Sequence, residues 1–277
     1  MFDRKRHLFH LVKVSPWPFV VACSLLCFLI GLCSFMHRVN GGGFLCLLGF
    51  FSLVFCGFCW FSDVCEEATK QGYHTLAVRR SLRNGFFLFL ASEIMLFFGF
   101  FWAFFHSSFN PAIDFSCLWP FAGIDVIPFY GVPFLNTLLL IFSGFSVTWA
   151  HRSTALGRYS EVIDSLLITL LLGFVFLFLQ IMEYYQATYN FDDSVFACSF
   201  YMLTGLHGLH VLVGVCFLSV CFLRFLNKQF SVNHYMGFVF AIWYWHFVDI
   251  VWIALFVIIY IWGGWSPEPI VGPINLL

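Results

Sequence analysis

The chain has 277 residues, of which 61% are hydrophobic and only 10% charged, with a mean hydropathy of +0.91 and a formal net charge of −1. Soluble domains sit near roughly 45–50% apolar and about 25% charged, so composition excludes a soluble globular protein. The near-neutral balance gives no electrostatic case for nucleic-acid binding.

Apolar runs of about 20 residues recur along the sequence, and the short alternating segments of a β-barrel are absent. The predicted fold class is an all-α polytopic membrane protein. The opening MFDRKRHLFHLVKVSPWP is a basic, partly amphipathic lead-in without an A-x-A-like cleavage site, so no removable signal is expected. Hydropathy, broken at charges, Gly, Pro and Asn, then predicts seven transmembrane helices at 16–36, 44–62, 84–106, 131–151, 162–185, 195–225 and 233–262. A GGG run at 41–43 separates the first two, and a Pro-rich loop from Asn110 to Pro133 separates the third and fourth.

These spans divide the chain into an N-terminal segment at 1–15, a two-helix part at 16–62 and a charged connection at 63–83. A five-helix part at 84–262 and a tail at 263–277 follow. With the N-terminus inside, the inner segments hold Arg4, Lys5, Arg6, Lys13, Lys70, Arg79, Arg80, Arg83, Arg152, Arg158, Arg224 and Lys228. Of the 13 Lys and Arg only Arg38 then falls outside. That is the positive-inside distribution, and the odd number of spans puts the C-terminus outside. Outer loops carry Asp114, Asp125, Asp192, Asp193 and Glu268.

The 11 Cys lie mostly within apolar runs, where thiols act as small hydrophobes. Cys56 and Cys59 form a C-x-x-C, but no second pair stands near it to complete a metal site. The 41 Phe fit T-rich codon usage, as in an organelle genome.

Polar groups at membrane depth carry the functional content. Glu93 lies ten residues beyond Arg83, about 15 Å into a hydrocarbon core of about 30 Å. An ionised carboxylate there costs on the order of 3 kcal/mol, so Glu93 must be neutral, paired or facing a wet cavity. Two readings stay open: a hydrogen-bonded carboxyl that joins helices, and a lipid or proton site. Trp102 and His106 close the same span at the outer interface, where amphipathic rings settle.

In TGLHGLH, His207 and His210 are spaced i, i+3 on one helix face. That spacing suits metal or haem ligation if partners come from elsewhere, while Gly205, Gly208 and Gly214 point to close helix packing. His246 and Asp249 are three apart and can share the cost of burial. Glu183, near the end of the fifth span, is expected at the outer interface, readily hydrated. Glu67, His74 and Arg83, near one membrane surface, suit either a phospholipid headgroup or a plain solvated loop and helix start. No phosphate-binding loop, activated nucleophile or His–Cys cluster is present, so a catalytic centre within the chain is not expected.

Eight motifs in order resemble the subunit III family of haem–copper oxidases in its mitochondrial cytochrome c oxidase form. They are SPWP at 15–18, QGYHT at 71–75, SEIMLFFGFFWAFFHSS at 92–108, LNT at 135–137, TWAH at 148–151, QIMEYYQA at 180–187, TGLHGLHV at 204–211 and WYWHFVDIVW at 243–252. The resemblance implies helices one and two as one arm and three to seven as the other, around a V-shaped, phospholipid-filled cleft. It implies a non-catalytic core subunit with no metal of its own, beside subunits I and II, which carry haem a and copper, and accessory subunits. The implied work is to hold lipid, support assembly and proton uptake, and sustain turnover of the dioxygen-reducing, proton-pumping complex in the mitochondrial inner membrane, with respiratory supercomplexes as further partners. The N-terminus would face the matrix and the C-terminus the intermembrane space.

The resemblance carries lipid contacts onto Glu67, His74, Arg83, Glu93, Trp102, His106, His210 and Arg224, and leaves His207, His246 and Asp249 as buried structural groups. Two departures stand out. Trp60-Phe61-Ser62-Asp63 lacks the basic residue the family often places before its Asp-Val, and Tyr73 stands where His is common. The chain also continues past the usual end as WSPEPIVGPINLL, expected to pack on a neighbouring subunit. The competing classes are an independent transporter or proton channel using Glu93, and a dihaem anchor using His106, His207, His210 and His246. An equivalent quinol-oxidase subunit often lacks the first two helices, which this chain has.

Overall fold

A computed structural model describes residues 9–111, 119–120 and 124–264. Seven α-helices run through them: α1 Trp17–Met36, α2 Gly42–Thr69, α3 Leu76–Phe109, α4 Val132–Ala155, α5 Tyr159–Gln186, α6 Val195–Leu226 and α7 Met236–Leu255. A π-helical segment, Phe256–Trp262, continues α7. All seven are long and apolar enough to cross a membrane, and no strand occurs among the described residues. The protein is therefore an all-α, seven-span membrane protein. The first eight residues, Asp114 and the tail 265–277 lie outside the described residues, and with them the expectation for Arg4, Lys5, Arg6 and the tail's packing.

Local signals set the helix ends. Pro16 and Pro18 open α1 and Pro133 sits in the first turn of α4, where the missing N–H leaves nothing unpaired. Ser194 caps α6, its hydroxyl accepting from the Ala197 amide at 3.0 Å. The span boundaries read from hydropathy differ most at 63–83. There α2 runs on to Thr69 and α3 begins at Leu76, so only residues 70–75 connect them. Hydropathy registers where the chain leaves hydrocarbon; the backbone hydrogen bonding continues for two further turns in the headgroup region. At 1.5 Å per residue, α3's 34 residues span about 51 Å against a core of about 30 Å.

The chain divides into two compact units, Met1–Asn84 and Gly85–Leu277. In the first, α1 and α2 lie backbone to backbone through glycines. A Cβ added at Gly31 would stand 2.3 Å from the Cys46 amide nitrogen, and one at Gly49 2.4 Å from that of Phe28. Small residues are the usual means of bringing helices together in lipid, where dispersion replaces the hydrophobic effect as the driving force. Trp17 of SPWP donates its Nε1–H to Asp63 Oδ2 at 2.6 Å, tying the start of α1 to the end of α2. Asp63 thus has an indole donor where the sequence lacks a basic neighbour.

In the second unit α7 is the most buried span. Its Trp245 and Trp252 are fully enclosed, and each indole N–H donates to a hydroxyl of α4: Trp245 to Ser143 at 2.9 Å and Trp252 to Thr137 at 3.0 Å. Gly173 of α5 and Gly214 of α6 make room for the Trp245 ring, for a Cβ on either would meet it at 2.9 Å. Ser146 and Thr169 join α4 to α5 at 2.7 Å. The outward faces carry large exposed apolar side chains, as a lipid-facing surface requires.

Candidate functional site

Glu93 sits midway along α3, and its Oε2 lies 2.9 Å from Nε2 of His210 on α6. The two side chains are 20% and 10% exposed, so the pair borders the surface of its unit without opening to it. Aromatic rings surround the imidazole: Phe97 at 5.1 Å, Tyr244 stacked at 6.2 Å and Phe247 edge-on at 6.2 Å.

The imidazole's other nitrogen determines the proton count. His210 Nδ1 lies 2.7 Å from the Leu206 carbonyl, which can only accept, so Nδ1 carries hydrogen. Nε2 then has two options toward Glu93. It accepts from a protonated carboxyl, or it donates, as an imidazolium, to a carboxylate. One proton occupies the Glu93–His210 bond in both cases, and the pair is neutral as a whole. Pairing with His210 lowers the burial cost that a lone carboxylate would carry.

His207, one turn away, does something else. Its ring is buried between Phe176 and Trp252, and Nε2 donates to the Val248 carbonyl at 3.2 Å. His207 and His210 thus share a helix but not a site. His246 lies 3.5 Å from buried Asp249 and 3.3 Å from the Thr148 hydroxyl, joining α7 to α4, but its side chain is 39% exposed, not buried as expected. The dihaem reading needs these imidazoles free toward a common space; His207, His210 and His246 are instead engaged with Val248, Glu93 and Asp249.

Trp102 is 66% exposed and touches Phe98, and His106 is exposed one turn on. They lie nine and thirteen residues beyond Glu93, about 14 and 20 Å along the helix. Arg224 lies fourteen residues beyond His210, about 21 Å along α6, where Nε donates to Gln229 Oε1 at 3.1 Å and the guanidinium covers the Phe230 ring at 4.2 Å. Along the helices of the second unit, Trp102 and His106 thus lie to one side of the Glu93–His210 pair and Arg224 lies about 21 Å along α6 from it. In the first unit Glu67 and His74 are half-buried and close together, while Arg83 is exposed on α3.

Two groupings were not foreseen. Glu183 is 2% exposed, not hydrated at an interface; its Oε1 accepts from Tyr260 at 2.6 Å and from Gln180 at 3.4 Å, and Asn136 donates to Gln180 at 3.4 Å. The sequence signal was periodic: Glu183 continues the buried face Thr169, Gly173, Phe176, Gln180 of α5. Closeness to a span's end did not decide its exposure, because Tyr260 of the π-helical segment and Gln180 of its own helix pack onto the carboxyl. In that turn Tyr189 is buried against Phe196 and Phe200, and burial pushes its phenol well above the usual tyrosine range. The second grouping brings His10 to Glu67 and His74.

Comparison with known proteins covers nearly the whole chain. Residues 7–264 match the family described as cytochrome c oxidase subunit III. Among relatives, cytochrome c oxidase subunit 3 of Drosophila yakuba is 46% identical over 264 residues, covering 95% of this chain and all of the relative. That of Arabidopsis thaliana is 45% identical over the same length and coverage. That of Pisaster ochraceus is 48% identical over 259 residues, with 94% and 99% covered.

Proposed function

Because this chain belongs to the cytochrome c oxidase subunit III family, and so is a non-catalytic multi-pass subunit of a respiratory oxidoreductase, we propose that its own work is to hold phospholipid in order beside the catalytic subunits. The observation that carries this is the neutral Glu93–His210 pair at mid-depth, bordered by Phe97, Tyr244 and Phe247. A polar pair without net charge, set among rings, suits acyl chains and glycerol esters better than it suits an ion in transit. The interfacial Trp102 and His106, and Arg224 at the opposite surface, stand at the depths of headgroups. A cation over a ring, as in Arg224–Phe230, presents a fixed charge to a phosphate. Glu67, His74 and Arg83 are headgroup residues at the inner surface.

Ordered lipid would support assembly, proton uptake by subunit I and sustained turnover, with haem a and copper held by subunits I and II. The protein lies in the mitochondrial inner membrane; the Lys and Arg distribution supports a matrix N-terminus and an intermembrane-space C-terminus, and the 41 Phe fit organelle encoding. The transporter reading is the weaker, since a proton relay through Glu93 needs an onward acceptor and His210 Nδ1 is already committed to Leu206.

Glu93→Ala is the test, with phospholipid retained per purified complex as the measurement. Lipid should fall while electron transfer stays near the parent rate. Unchanged lipid together with collapsed oxidase activity would refute the assignment.

A further inference from the structure

We propose that His10, Glu67 and His74 form a binding site for a divalent transition-metal ion, with Zn²⁺ the ion their donor set fits best. One ligand atom from each lies within 4.8 Å of the others, and all three residues are half-buried. Two imidazoles and one carboxylate form a borderline set, without the thiolates that would favour a softer ion or the all-oxygen shell that would favour Mg²⁺ or Ca²⁺. Tetrahedral coordination at about 2.0–2.1 Å puts donors about 3.3 Å apart, so side-chain rotation over 1–2 Å closes the set. A fourth position stays open to water or another oxygen.

The three donors come from separate segments that the fold holds together. His10 precedes α1, Glu67 lies in the last turn of α2 and His74 just before α3. The turn is built to bring its two donors back toward each other. Its amides at Lys70 and Gln71 bond to the Glu66 carbonyl, Tyr73 bonds to the Glu67 carbonyl at 3.1 Å, and Gly72 takes a φ of 64° that other residues resist. The Tyr73 ring stacks on His10, 4.7 Å between centroids and 10° from parallel, and so orients that imidazole beside His74, whose ring is 6.3 Å away. The adjacent carboxylate in sequence, Glu66, is engaged by Lys70 at 2.9 Å. A dication held here would staple the N-terminal segment to the α2–α3 turn.

This inference does not rest on the lipid reading, although Glu67 and His74 figure in both. The Glu67 carboxylate and the lone pairs of the two imidazoles are all donors to a cation.

The test uses the whole purified oxidase complex. After chelator treatment it is titrated with Zn²⁺, bound zinc is counted per haem, and modification of His10 and His74 by diethylpyrocarbonate is read by peptide mass spectrometry. Zn²⁺ should protect both histidines in the parent complex, and His10→Ala and Glu67→Gln should each weaken that site at least tenfold. Unchanged reactivity of His10 and His74 at saturating zinc, or equal zinc binding in parent and both variants, would overturn the proposal. The protection measurement needs no variant, so an assembly defect leaves it decisive. Phospholipid counted in the same samples separates the two readings, because loss of zinc with lipid retained affects only this one.

Discussion

Replacing Gly49 by alanine measures directly how close α1 and α2 lie. The added Cβ would stand 2.4 Å from the Phe28 amide nitrogen and 2.6 Å from its Cα, and these are backbone atoms that no rotamer change can move aside. Ordinary non-bonded contact begins near 3.5 Å, so the helices must part locally by about 1 Å. A gap of that size forfeits a quarter to a half of the dispersion well along the interface, and overpacking of this kind costs about 1–3 kcal/mol. Gly57 supplies the control on the same helix, for a Cβ there meets nothing within 4 Å. Alanine's higher helix propensity, worth about 1 kcal/mol, is common to both variants. The difference between them therefore isolates the steric cost. The assay is retention of this subunit in the purified complex on heating, with Gly57→Ala expected to match or exceed the parent and Gly49→Ala to dissociate at lower temperature. Indistinguishable behaviour of the two variants would refute the backbone-contact account.

Two further substitutions probe the five-helix part. Tyr260→Phe removes the donor to buried Glu183 and leaves Gln180 as its partner among the described residues; a loss of about 1–3 kcal/mol is expected in thermal unfolding of the complex, and no change would mean that the Glu183 carboxyl is not enclosed. Ser143→Ala strands the Trp245 indole N–H in a dry core. Interhelical hydrogen bonds in membranes average well under 2 kcal/mol, so about 1 kcal/mol is expected here, together with a shift in Trp245 fluorescence if its environment loosens.

How much of this was legible before the fold was known differs by kind. The seven spans and the membrane class follow from hydropathy because burial in lipid is a local cost, incurred residue by residue along each helix. Glu93 stood out on the same ground, as a carboxylate that needs an explanation wherever the rest of the chain goes. Helix length was only half legible: the charges of 63–83 mark the membrane boundary, but α2 and α3 stay helical beyond it because backbone hydrogen bonding continues into the headgroup region.

The sequence by itself determined that Glu93 must be neutral, paired or facing a wet cavity, and tertiary structure decided for a partner, His210, 117 residues away. It likewise decided that His207, three residues from His210, belongs to the core, that Glu183 is enclosed while Trp102 is not, and that His10 meets Glu67 and His74. Desolvation penalties are properties of a residue and its depth, and so are written locally. Which donor relieves them depends on which helices touch, and that is settled by interfaces such as those around Gly31, Gly49, Gly173 and Gly214, where the absence of a side chain lets one particular neighbour approach.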